Sequence, residues 1–510
     1  MTINTSILRF LSLGIIVFSN SINAQRLKAD KILKLAQEET PNAIQALQDF
    51  VAVSNVSTEM GQLEQNFEYS KTLVESLGFE TKPIETKGAP VLLATKTVDT
   101  SLPTVLFYLY VNGQEREHKQ WNQKDPYTLE LKQQLPNGHW KTLPFENSSM
   151  PHNDWRLFGQ SVANSKGPAL ALLTALKLYQ KNKWKTAYNI KLLLDFQEKL
   201  GASSREQLVL NNKEILKSDY LIILDGIRDI SNKPTISFGA RGIVNATLTV
   251  YGPLESLDAG RYGNYVPNPV FKSSRLLASM KDESGMVVIK DFYKGIILND
   301  LINAELANAS MDPIELNKHL GIALEELVSN SYQGSLQYPS LNINKLRAGW
   351  TEKHAQTIIP DQVDIELDIR TVVESQQKHL IEVLRNHIID QGFELIDGIP
   401  SKEDRALFEQ MASLTYTIDS KPFRTSLSST IRTLIDDSHQ PLFGDQYVLV
   451  RTSGGSQPIA SFITNLGVDT VSIQIPNPDS NIHTPNENLR IGNFIEGIAS
   501  CISLLQTPIQ

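Results

Sequence analysis

Apolar residues along this chain recur in two rhythms, and the changes from one to the other mark out its elements. From Leu27 to about Glu80 the spacing is helical: Ile32, Leu33, Leu35 and Ala36, then Ile44, Leu47, Phe50 and Val51, then Leu63, Phe67, Tyr69, Leu73 and Leu77, with Gly78 closing the run. Short apolar runs at 89–95 and 104–111 predict buried strands. The Asn137-Gly138 pair beyond the Asp125-Pro126 loop predicts a hairpin. Gly167-Pro168 opens a helix over 169–179, with Pro168 in its first turn. A strand over 189–196, a helix over 203–210 and a strand over 220–225 continue the alternation, which is the signature of a parallel sheet with crossover helices.

At about Gly239 the pattern changes. An alternating strand over 243–250 is followed by a helix-rich stretch over 269–327, strands at 341–346 and 363–369, and a helix over 376–391. This predicts a smaller α+β domain inserted into the first. The chain then returns through 406–414 and 428–435, a Gly454-Gly455-Ser456 turn, a strand over 471–475 and a last helix over 493–505. The expected fold is α/β, with a mixed, largely parallel sheet sandwiched by helices. Its first part is 25–239, the inserted domain 240–403 and its second part 404–510. Open α/β sheets place their chemistry beyond the carboxyl ends of strands. Ends at 110–112, 164–166, 198–199 and 225 are therefore expected to converge on one pocket.

With 41% hydrophobic and 20% charged residues and a formal charge of -8, the composition is that of an ordinary globular chain. Scattered Lys and Arg under a net negative charge exclude a nucleic acid held by phosphate neutralisation. Residues 1–24 differ: Arg9 precedes the apolar run FLSLGIIVF, and Ser-Ile-Asn-Ala offers a small residue for cleavage before Gln25. That is the pattern of an export signal, so the chain is expected in the periplasm or the medium. No later run reaches the roughly 18 apolar residues of a membrane span. Cys501 is the single cysteine, which excludes an internal disulfide and a zinc-thiolate cluster; its apolar helical setting predicts burial.

The stretches VLFYLYVNGQ, FGQSVANSKGPALALLTALK, LLDFQEKLGAS, YLIILDG, ISFGARG, GPLESLDAG, AQTIIPDQ, TSGGSQP and IHTPNENLR follow one another in a specific order and spacing. Taken together they resemble the carnosinase, carboxypeptidase G and acetylornithine deacetylase family of two-zinc metallopeptidases, over essentially the whole mature chain. The resemblance implies a zinc-exopeptidase-like catalytic domain holding two zinc ions, and an inserted lid domain that commonly mediates dimerisation.

Position by position, the resemblance implies departures. The family's zinc-binding histidine falls on Tyr110, its bridging aspartate on Asn164, and its paired glutamates, general base then zinc ligand, on Glu198 and Lys199. The aspartate closing the next strand is kept as Asp225, and the histidine before the Pro-Asn-Glu-Asn turn as His483. One zinc would thus be assigned Tyr110, Asn164 and Asp225, the other Asn164, Lys199 and His483. A lid histidine thought to stabilise the oxyanion falls on Asp258, whose carboxylate would oppose developing negative charge. Thr357, Arg370 and Ser456 match positions that contact substrate, and the planar fork of Arg370 suits a carboxylate.

Zinc asks for three or four donors from His, Cys or carboxylate, whereas an amide is a poor bridge, a neutral phenol a weak donor and an ammonium none. Charge gives the same answer: Asp225 and Lys199 cancel, and an ammonium beside a metal site repels the cation by several kcal/mol. Lys199 is expected to occupy the metal's place and pair with Asp225 or Glu198. Glu198 then faces ordinary water, without a metal to lower its pKa from 15.7 to about 7. Taken singly, each residue has an ordinary structural use: Glu198 and Lys199 as a solvated turn, Asp225 as a cap, His483 in a loop, Arg370 bridging lid strands. His118, His139 and His152 lack the close spacing that rebuilds a metal site.

The expectation is an exported, non-catalytic paralogue of this peptidase family that needs no cofactor and binds a peptide-like or carboxylate-bearing small molecule, paired as a homodimer or heterodimer through the lid. The alternatives are an active metal-dependent dipeptidase or amidohydrolase with a rewired site, and a silent subunit of a hetero-oligomer.

Overall fold

A computed structural model describes residues 26–113, 120–145, 152–197, 202–308, 311–349, 357–457 and 459–509. The export-signal expectation over 1–24 lies outside the described residues.

The larger domain is built on an eight-stranded sheet in the order Glu80–Ile84, Val91–Lys96, Asn189–Asp195, Thr104–Tyr110, Tyr220–Ile223, Asp469–Gln474, Thr235–Ser237, Val448–Val450. The inner ladders, from Asn189–Asp195 to Asp469–Gln474, are parallel, while Val91–Lys96 pairs antiparallel with both its neighbours. The central strands of this sheet are buried on both faces, so they read as nearly continuous apolar runs. Along Thr104–Tyr110 the side chains alternate: Val105, Phe107 and Leu109 enter one core cluster, Leu106, Tyr108 and Tyr110 the other. The first cluster is closed by the mutually packed helices Ala29–Ala52, Lys166–Asn182 and Ile491–Gln506. The second is closed by Ala202–Asn211 and Ala460–Leu466. Cys501 is fully buried in the last long helix, where desolvation pushes its thiol up to about 12.

A four-stranded sheet of Asn488–Arg490, Arg156–Phe158, Glu130–Gln134 and Trp140–Leu143 flanks this domain, and its hairpin turns at Gly138 with φ 84°. The chain leaves for the lid through Gly239–Ala240, which pairs with the returning Phe423–Arg424. The lid is a five-stranded sheet, Ser340–Ala348, Gln362–Thr371, Gly242–Tyr251, Met411–Ser420 and Glu394–Leu395. Val244, Ala246, Leu248 and Val250 face a core completed by Leu276 of the helix Pro269–Ala278 and by Leu380 and Leu384 of the helix Gln377–Asp390.

The expected return to the larger domain at residue 404 is corrected. Met411–Ser420 pairs along its length with Gly242–Tyr251 and buries Ala412 and Leu414 in the lid core, so the return lies after Ser420. The polar stretch before it is a short helix, Lys402–Leu407, held by a Ser401 and Asp404 capping box. Among the described residues no helix is long and apolar enough to cross a membrane.

Candidate functional site

Tyr110 ends its strand at the carboxyl edge of the sheet, but its ring turns into the core. It is 6% exposed and meets Tyr108 edge-on at 5.0 Å. Its ladder partner is Asp195, the last residue of the neighbouring strand. Asp195 is 2% exposed; it accepts the Tyr108 hydroxyl and pairs with Arg205 Nε at 3.4 Å. Arg205 is as deeply buried, and its Nη2 donates to the Gln197 carbonyl at 3.0 Å, just before residues 198–201. Burial pushes the Arg205 guanidinium towards deprotonation, but Tyr108, Asp195 and Tyr110 outweigh it and hold it more firmly charged than usual. Burial, reinforced by Asp195, lifts the Tyr108 phenol well above its ordinary range. The edge that resembles a metal-binding edge therefore carries two phenols over a buried carboxylate and guanidinium.

Asn164 does not end a strand, contrary to expectation. The strand Arg156–Phe158 stops earlier, and Asn164 sits in a turn ahead of the helix Lys166–Asn182. The turn is tight: a Cβ on Gly167 would lie 2.1 Å from the Val162 carbonyl oxygen. Glu487 shapes it from across the fold, its carboxylate accepting the backbone N–H groups of Ser161 at 3.1 Å, Ala163 at 2.9 Å and Asn164 at 2.7 Å. Beneath the turn Lys166 is fully buried, donating to the carbonyls of Phe50 at 2.8 Å and of Val53. Burial drives its ammonium pKa well down, against the attraction of Glu487. His483 belongs to the same polar segment as Glu487; it is exposed and left-handed, with φ 62°.

Asp225 follows the strand Tyr220–Ile223 and accepts Gln457 Nε2 at 3.1 Å, while Gln457 Oε1 accepts the Ser472 hydroxyl at 2.9 Å. The neighbouring Ser456 hydroxyl meets Nη1 of Arg370 at 3.1 Å, so the turn carrying Gly454 and Ser456 ties the larger domain to the lid. The fork of Arg370, expected to face a ligand carboxylate, is filled by Asp368: Nε to Oδ1 at 2.7 Å and Nη2 to Oδ2 at 2.9 Å. At the lid's other margin Asp258 and Thr357 come together, since the Ala259 N–H donates to the Thr357 carbonyl at 2.9 Å. The exposed Asp258 carboxylate caps its own short helix, accepting the Arg261 N–H at 2.7 Å.

Glu198 and Lys199 lie outside the described residues, and with them the expected pairing of Lys199. Among the described residues no three His, Cys, Asp or Glu side chains are grouped so as to hold a metal ion. Asp195, Arg205, Asp368, Gln457 and Glu487 were not singled out from the sequence. Asp368 and Arg370 stand two apart on a strand, which puts them on one face and made their pairing readable; Asp195 and Arg205 carry no such spacing.

Residues 131–507 match peptidase family M20/M25/M40. The chain is 24% identical over 494 residues to a Cys-Gly metallodipeptidase of Candida albicans, covering 94% of this chain and 97% of that one. It is 25% identical over 418 residues to the Beta-Ala-His dipeptidase of Mus musculus, covering 80% of this chain and 77% of that one. Its fold is that of human carnosine dipeptidase 1, with a TM-score of 0.74, 21% identity, and coverage of 94% of this chain and 98% of that one. An M20 family metallo-carboxypeptidase from Sulfolobus solfataricus is similar too, with a TM-score of 0.73, 24% identity, and coverage of 91% and 98%. This chain belongs to peptidase family M20/M25/M40.

Proposed function

We propose that this chain is an exported member of the family whose two-zinc centre is dismantled, and that it binds a peptide-like or carboxylate-bearing small molecule without hydrolysing it. The observation that carries this proposal is the edge at Tyr110. The phenol is folded into the core beside Tyr108, and the buried charge below it is a guanidinium already paired with Asp195. The Tyr110 phenol and the Asn164 amide, with Asp225 engaged by Gln457, are a poor donor set for zinc. These residues do not fit a metal ion. Glu198 is then an idle general base, and no cofactor is needed.

The matched relatives named as dipeptidases support a dipeptide-sized ligand. The lid's edge strand Ser340–Ala348 exposes Ile343 and Leu346, which supports pairing of two chains through the lid. Hydrolysis assays test the proposal: incubated with zinc and Cys-Gly or β-Ala-His, the chain is expected to release no free amino acid. Hydrolysis that disappears in Glu198→Gln would establish the active alternative. Export predicts a mature chain beginning at Gln25, read by intact mass; an uncleaved start at Met1 contradicts it.

A further inference from the structure

Beside the Gly454-Gly455-Ser456 turn the lid encloses a cavity of about 280 Å³. Its walls come from the helix Pro313–Leu320, the loop 322–331, the short helix Tyr332–Ser335 and the start of the edge strand. Apolar and aromatic residues, Tyr293, Leu316, Ile322 and Leu336 among them, share these walls with polar and charged ones, and the cationic groups are Arg241 and Lys281. A cavity of this size with apolar walls on one part and polar groups on another can hold a small molecule.

Among the described residues no carboxylate pairs directly with Arg241. Its Nε reaches the Gly454 carbonyl at 3.3 Å and its Nη1 the Ser340 hydroxyl at 3.4 Å, both neutral and both long. Burial and then the nearby guanidinium of Arg370 bring its pKa down to about 10, against Tyr332 and Asp368. Asp368 is already held by Arg370. The other charged groups of the wall are engaged: Lys281 pairs with Glu326 at 2.8 Å and Glu325 accepts Asn317. A half-buried guanidinium with no carboxylate is unfavourable, and a planar carboxylate is the group that fits its fork.

We propose that this cavity is a second small-molecule site, which takes a monocarboxylate with a compact apolar or aromatic body. The carboxylate pairs with Arg241, and the body lies against Tyr293, Leu316 and Leu336. Asp225, Arg370 and Ser456 do not line this cavity, and the proposal stands whether or not the site at Asp225 is catalytic.

Isothermal titration of the full chain tests it with three probes, hexanoate, 4-phenylbutyrate and N-acetylphenylalanine, each against its neutral amide. At least one carboxylate is expected to bind saturably at one site per chain, with its amide weaker by about tenfold or more. Arg241→Met is expected to weaken the carboxylate by about tenfold. Leu316→Trp, which narrows the cavity and leaves the charge alone, is expected to abolish binding with the unfolding transition retained, and decides the matter if Arg241→Met does not fold. No saturable binding in the millimolar range, equal binding of acid and amide, or binding untouched by a folded Leu316→Trp chain would each overturn the proposal.

Discussion

Asp368 holds Arg370 in a two-pronged ion pair from two positions earlier on the same strand, with both bonds under 3 Å. The guanidinium thus carries its own carboxylate, and its remaining Nη1 reaches Ser456 across the domain boundary at 3.1 Å. A ligand carboxylate must share this fork or displace Asp368.

Replacing that carboxylate should expose the competition. Asp368→Asn is expected to tighten binding of a dipeptide at the Arg370 fork by several-fold, and to cost roughly 1–3 kcal/mol of stability because a half-buried guanidinium loses its partner. Titration calorimetry and urea unfolding of the same variant check both. Unchanged dipeptide affinity would mean that the fork takes no part in binding.

The Asp195 and Arg205 pair is 2% and 3% exposed, so cutting it from one side leaves a charge stranded in the core. Arg205→Met is expected to cost about 3–5 kcal/mol, and Asp195→Asn with Arg205→Met to cost less than the sum of the two single changes. A double-mutant cycle by chemical denaturation measures this. Strict additivity would show that the two groups do not interact.

His439 gives stability a pH dependence. Its ring is fully buried against Phe443 and Tyr447, and its Nδ1 lies near the Ile435 carbonyl and the Ser438 hydroxyl. Burial lowers its pKa to about 4 from 6.5, against the Ile435 carbonyl and Asp436 and with help from Arg228. Between these two values the unfolded chain binds a proton that the folded chain refuses, so stability falls with pH across that window, by roughly 3 kcal/mol in all. Asp154, held low by Arg490, acts in a lower window, since its ordinary value is 3.8. Urea midpoints from pH 7 to 4 should decline in the native chain and much less in His439→Gln. Parallel declines would rule His439 out.

Much of the fold was legible because burial on both faces leaves its mark on sequence: the run from Val105 to Tyr110 reads as a central strand, and the Asn137-Gly138 pair as a hairpin turn. The lid's limit was not legible, because the last lid strand, Met411–Ser420, follows a polar capped helix and finds its partner about 160 residues earlier in the chain. At the site, the candidate positions could be read one by one, but not where their side chains turn. Tyr110 folds into the core because the strand's alternation sends every second residue there. The Asn164 turn is set by Glu487, more than 300 residues away.

The central question is whether a phenol at Tyr110 and an amide at Asn164 leave any grip on zinc. Elemental analysis of chain purified in excess zinc and then freed of loosely bound metal answers it most directly. Well under one zinc per chain is expected, and Tyr110→His with Asn164→Asp is expected to raise that content. Two zinc ions held tightly by the native chain would contradict a dismantled centre.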